Sequence, residues 1–127
     1  MKTNAVAWFE IPALDMDRAQ KFYEAVLGHK LERNQMGELD MAWFPSTQGA
    51  SGASGSLVCH PDEYQPSANG TIVYLHSPSG DIANEMSRVE SAGGQILLEK
   101  KLISKDIGYM ALFLDTEGNR VAMYGIE

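Results

Sequence analysis

DMDRAQKFYEAVLG, residues 15–28, decides how this 127-residue chain folds. Asp15 carries an oxygen that accepts from the free amides of a helix start, so it reads as an N-cap. Behind it Ala19, Phe22, Tyr23, Val26 and Leu27 recur at three- and four-residue steps, which places them on one helical face. Lys21 and Glu24 fall between them, toward water. Gly28 supplies the left-handed residue that closes such a helix. An apolar stripe must cover something, and the flanking runs provide it. Ala5 to Ile11 reads as a strand before the helix, and the shorter run Lys30 to Arg33 follows it. The unit is a strand, a helix and further strands, with the helix on one sheet face.

Within the first strand, Phe9 and Ile11 fall on the side that meets the helix. Trp8 and Glu10 fall on the other side, toward solvent or a cavity. Pro12 has no amide to donate and ends the strand. Lys30–Gln35 and Leu39–Phe44 read as a hairpin about Met36-Gly37-Glu38. STQGASGASGS, residues 46–56, reads as a mobile loop, and Leu57–His60 as a short strand. PDEYQPSANG, residues 61–70, is a second loop and the boundary between two halves.

The second half repeats the order. Thr71–His76 is a strand. Asp81 caps a helix whose inward residues are Ile82, Met86 and Val89, with the methylenes of Glu85, and Gly93-Gly94 closes it. Strands follow at Gln95–Glu99, Tyr109–Leu114 and Arg120–Ile126, the last two joined by a turn at Asp115–Asn119. The sequence therefore predicts an α+β fold, a single domain over 1–127. Its first module covers about 1–62 and its second about 68–127, and the free sheet faces curve round a shared cavity.

Composition bounds the function. A hydrophobic fraction of 44% with 21% charged residues is that of a folded chain, not a disordered one. A net charge of −7 repels phosphate backbones and argues against nucleic acid as a partner. No apolar run is long enough to span a bilayer, so no membrane association is expected. MKTNAVAWFEIP lacks the long apolar centre and cleavage site of a secretory signal. One cysteine, Cys59, forms no intrachain disulfide, which fits a cytoplasmic protein.

With these runs in view, the chain resembles a known family. FEIP, then DMDRAQKFYEAVLG, SLVCHPDEYQPSANGTIVYL, RVESAGGQIL and IGYMALFLDTEGNRVAMY are similar to the glyoxalase / bleomycin-resistance / dioxygenase group, the vicinal oxygen chelate superfamily. The likeness covers nearly the whole chain. It implies two βαβββ modules forming a cupped, mainly antiparallel sheet, usually in a homodimer, with one divalent metal in many members. Where that family places metal ligands, this chain places Trp8, Leu57 or its neighbour, Thr71 and Ala122. Indole is only a donor, Leu and Ala offer no lone pair, and a neutral Thr hydroxyl is a poor ligand. The fold carries over, and the metal chemistry does not.

Other residues have ordinary readings beside functional ones. His29, His60 and His76 show no paired metal spacing, and His29 is expected in solvent near a helix end. Glu10 beside Trp8 is the candidate general base, weighed against a carboxylate at a wet strand end. Cys59 alternates with Leu57, while His60 points to the opposite face, which argues against a nucleophilic dyad. Arg120 is expected to pair with Glu117 in the turn. The leading expectation is a metal-free, cofactor-free homologue holding a small apolar or aromatic molecule. Its pocket would use Trp8, Glu10, Leu57, Cys59, Thr71, Val73, Ala122 and Tyr124. Sequestration of the ligand and metal-free chemistry on it both fit this reading. The alternatives are a metal-dependent lyase or dioxygenase with ligands displaced to Glu10, His60 or His76, and a dimeric interaction module with no ligand.

Overall fold

The computed structural model describes residues 3–127; Met1 and Lys2, the start of the expected first module and of the N-terminal run tested for a signal, lie outside the described residues. The first half contains β1 (Phe9–Pro12), α1 (Met16–Leu27), β2 (Glu32–Met36), β3 (Leu39–Trp43) and β4 (Gly55–Cys59). The second contains β5 (Tyr74–His76), α2 (Ile82–Met86), β6 (Gln95–Ser104), β7 (Gly108–Leu114) and β8 (Arg120–Gly125). Each half is a βαβββ module, and the fold is α+β, as the sequence implied.

The strand order is β1-β4-β3-β2 in one sheet and β5-β8-β7-β6 in the other. β2, β3 and β4 are successive antiparallel neighbours, the first two joined by a tight turn and the last two by the 44–54 loop, and β6, β7 and β8 are joined in the same order by short turns. The first strand of each module returns through its helix and runs parallel to the last strand. Hydrogen bonding stays within each sheet, so among the described residues β1 and β5 each keep one unpaired edge.

Helix α1 is built as its sequence dictates. Asp15 accepts from the Arg18 amide at 3.1 Å, and Gly28 (φ 78°) donates its amide to the Glu24 carbonyl at 2.9 Å. Its buried stripe packs with Ile11, Ala42 and Leu57 of the first sheet. Phe22 and Tyr23 also reach Phe113 of the second sheet, at ring-centroid distances of 5.8 and 6.2 Å. One core therefore serves both modules. Helix α2 is a short piece, after which turns continue to Gly93. Ile82, Met86 and Val89 are buried as expected. Glu85 goes further than its methylenes: its carboxylate is buried too, accepting from the Ser77 hydroxyl and the Ser79 amide.

Several strand limits differ from the sequence reading, each for a pairing reason. Residues 5–8 lie outside β1 because the partner strand begins only at Gly55, opposite Phe9. Thr71 to Val73 precede β5, since the β8 register starts at Tyr74 opposite Ala122. Strand β6 runs on to Ser104, with three register shifts against β7.

The Asp115–Asn119 turn does more than reverse the chain. The expected Glu117–Arg120 pair does not form. The Glu117 carboxylate instead plugs the start of α1, accepting from the Leu14 and Asp15 amides at 2.8 and 2.9 Å and from Arg18 Nε at 2.7 Å. Tertiary packing brings a helix N-terminus to Glu117, and unpaired amides with a guanidinium outcompete a sequence neighbour. Asn119 Nδ2 donates to the Pro12 carbonyl at 2.7 Å, and the Tyr23 hydroxyl donates to Asp115 Oδ2 at 2.6 Å. This clamp locks the second module onto the first.

Candidate functional site

The unpaired edges of β1 and β5 border the main cavity, of about 990 Å³. One wall comes from Trp8, Phe9 and Glu10. The facing wall is the chain from Thr71 to His76, and residues 44–54 close a third side. Leu27 and His29 form its end, where α1 stops. The lining is mostly apolar with a few polar groups, the composition of a small-molecule site. Proline and glycine position it. Pro45 stops β3, and glycines with positive φ at 49 and 52 turn the loop back toward β5, where Gly52 lies against the His76 ring.

Four of the expected pocket residues line this cavity: Trp8, Glu10, Thr71 and Val73. Four do not. Leu57 is fully buried on the opposite side of the sheet, in register with Ile11 and Ala42 and packed in the core beneath α1. Cys59 shares that side, its Sγ 3.7 Å from the Leu14 carbonyl. Burial, with Asp40, Glu117 and Asp15 nearby, raises the Cys59 pKa, which disfavours a thiolate nucleophile. The reason is register. Glu10 stands opposite Ser56, so Ser56 and Val58, not Leu57 and Cys59, share the face of Glu10. Ala122 and Tyr124 sit on β8, one strand in from the β5 rim. Tyr124 turns its hydroxyl to the Ile107 carbonyl and its ring edge to His76, at 5.8 Å between centroids.

The sequence reading also missed lining residues. His29 is not in solvent: it is half-buried, lines the cavity, and its Nδ1 has no partner among the described residues. Phe44 and the 45–54 loop gave no signal beyond glycine content. Glu10 accepts from the Trp8 indole at 3.3 Å, and its carboxylate raises the Tyr64 pKa by hydrogen bonding and then by charge. It acts as an anchor for two aromatic side chains.

The metal that the resemblance implies does not fit these residues. Trp8 and Thr71 stand where ligands would be, and the register replaces Leu57 by Ser56, another neutral hydroxyl. His60 is engaged at both nitrogens: Nδ1 accepts from the Asp62 and Glu63 amides at 3.1 Å, leaving Nε2–H for Glu38 at 3.1 Å. Among the described residues no three His, Cys, Asp or Glu side chains converge as a ligand set.

Residues 6–44 match the family model described as bleomycin resistance protein-like N-terminal. The whole chain superposes on a glyoxylase/bleomycin resistance protein/dioxygenase domain from Frankia sp. EAN1pec with a TM-score of 0.72 at 15% identity, covering 99% of this chain and 100% of that one. The chain shares the fold of these glyoxalase and bleomycin-resistance structures. Maize (Zea mays) glyoxalase I shares that fold with a TM-score of 0.67 at 18% identity over 94% of this chain, which spans only 45% of the maize enzyme. TnmS3, an antibiotic binding protein from Streptomyces sp. CB03234, aligns with a TM-score of 0.61 at 20% identity, covering 100% of this chain and 99% of that one. No curated protein matches the chain. Within this fold, the cavity lies where the two modules approach each other. No helix among the described residues is long and apolar enough to cross a membrane.

Proposed function

We propose that this protein is a metal-free binding protein for a small, apolar, aromatic molecule, held in the cavity between the β1 and β5 edges. The observation that carries the reading is the pairing of that apolar cavity with side chains among which, in the described residues, no three His, Cys, Asp or Glu groups converge on one point. Trp8 offers a flat apolar wall, with Val73 facing it across the cleft, and Glu10 and Thr71 add polarity at the rim. That TnmS3 is an antibiotic binding protein supports the same class of activity for this fold. The protein works as a homodimer in the cytoplasm. In favour of the dimer are the open edges of β2 and β6, away from the cavity, and the exposed apolar side chains of Tyr74, Leu102, Ile103 and Ile107 on the second module.

A thermal-shift screen of neutral aromatics against the metal-free protein tests the binding reading, since a ligand specific for the native state raises the melting temperature. Trp8→Ala should weaken each hit. A broad library without hits, or one activity-restoring divalent ion bound per chain, would overturn the reading. Light scattering at micromolar concentration should give twice the 13.9 kDa chain mass; the chain mass itself would remove the dimer.

A further inference from the structure

The face of the first sheet that points away from α1 carries polar atoms with nothing to bond. Ser56 Oγ, Trp43 Nε1 and Asn34 Nδ2 are buried and lack partners among the described residues. The register gathers them. Trp43 stands opposite Ser56, and Asn34 stands opposite Met41, two residues before Trp43 on β3. Ser56 is fully buried. An indole N–H is only a donor, and a hydroxyl between unlike neighbours turns to suit its partner. A buried polar group left unpaired costs about 1–3 kcal/mol, so a ligand that presents an acceptor to these groups is favoured over one that covers them with apolar surface.

Trp8 controls access to them. Glu10 flanks Ser56 on the side away from Trp43. The Trp8 indole bonds to Glu10 at 3.3 Å and meets the Trp43 ring edge-on at 5.8 Å, touching the residues on both sides of Ser56. It therefore roofs the hydroxyl. This roof is lightly held. Trp8 is 42% exposed, precedes β1 and belongs to no helix or strand. Trp8 and Glu10 also line the cavity, so moving the indole aside joins the cavity to the buried donors.

We propose that Trp8 is a swinging roof over a donor pair, the Ser56 hydroxyl and the Trp43 indole N–H, which together bind a neutral carbonyl oxygen on the ligand. One carbonyl oxygen has two lone pairs and accepts both bonds. A carboxylate is disfavoured, because Glu10 adjoins Ser56 and the chain carries a net charge of −7. This inference rests on the cavity being a small-molecule site, and it adds which chemical group the site selects.

A matched pair of planar probes tests it by titration calorimetry on the intact protein. 9-Fluorenone and fluorene share one tricyclic skeleton and differ in a carbonyl against a methylene. Wild type should bind the ketone about tenfold more tightly, the discrimination expected from hydrogen bonds to otherwise unpaired donors. Ser56→Ala and Trp43→Phe should each shrink that preference, while fluorene binding stays within about twofold. Trp8→Ala should keep the preference while weakening both probes, because the roof supplies no donor to the carbonyl. The ratio of the two affinities is the readout, since it survives uniform weakening. Equal binding by wild type, a preference untouched by both donor substitutions, or its loss in Trp8→Ala would overturn the proposal and leave the cavity reading standing. If neither probe binds, this inference falls, and the thermal-shift library decides the cavity reading separately.

Discussion

Two of the buried polar groups in this fold, the clamp at Glu117 and the floor at Ser56, differ in one respect. In the clamp, Glu117, Asp115, Asn119 and Tyr23 satisfy one another and the α1 amides. On the opposite face of the first sheet, the donors of Ser56, Trp43 and Asn34 find no acceptor among the described residues. Burial is common to both, so burial does not separate scaffold from site. Satisfaction does. A completed network rigidifies the junction between modules, whereas the incomplete one is where the proposed ligand carbonyl would bond.

The contrast breaks most visibly at Glu117. Glu117→Ala strips Arg18 and the Leu14 and Asp15 amides of their acceptor, and should lower stability by about 3–4 kcal/mol, measured by urea unfolding. A loss below about 1 kcal/mol would mean the clamp is decoration.

Acid probes the same carboxylate without mutation. Burial pushes the Glu117 pKa up, but hydrogen bonds from Arg18, the Asp15 amide, Thr116 and the Leu14 amide overcome it and hold the pKa at about 2, against an ordinary 4.5. A depressed carboxyl pKa gives stability that is complete above the unfolded value and is lost as pH falls through the folded one. Wild type should therefore lose about 2–3 kcal/mol between pH 4.5 and 2, discounted because Arg18 is half-exposed. Glu117→Gln should flatten that slope, and a parallel slope in the variant would assign the acid loss elsewhere.

Tyr23→Phe tests a single bond of the clamp. Burial, with the charge and hydrogen bonding of Asp115, raises the Tyr23 pKa well above its ordinary value, so the phenol is a neutral donor at every working pH. Removing it leaves Asp115 with Asn119 and the turn amides, and should cost about 1–2 kcal/mol in chemical denaturation. Ser56→Ala is the smallest test and carries the opposite sign. Deleting an unpartnered hydroxyl should leave stability within about 0.5 kcal/mol of wild type or raise it. A loss comparable to that of Tyr23→Phe would mean Ser56 is satisfied, and the contrast would dissolve.

Much of this was legible in the sequence. The stripe of α1, its Asp15 cap and its Gly28 stop fix that helix locally, because capping and periodicity act within a few residues. Trp8 and Glu10 were legible as cavity residues because a strand has two faces and the helix takes the other. The error at Leu57 and Cys59 came from the glycine-rich segment before β4. A loop of uncertain length hides the register, and a slip of one residue exchanges the faces. Glu117 was misassigned for a related reason: its partners lie about a hundred positions away, and no local pattern reports them.

The sequence by itself determined the repeated strand-helix-strand order, the helix caps and which face of each helix is buried, since all of these follow from contacts between near neighbours along the chain. Only the tertiary structure decided that Glu117 closes the start of α1, that Ser56 rather than Leu57 stands beside Glu10, and that three donors share one sheet face without an acceptor among the described residues. Strand register and long-range polar pairing depend on which distant segments meet, and packing sets that.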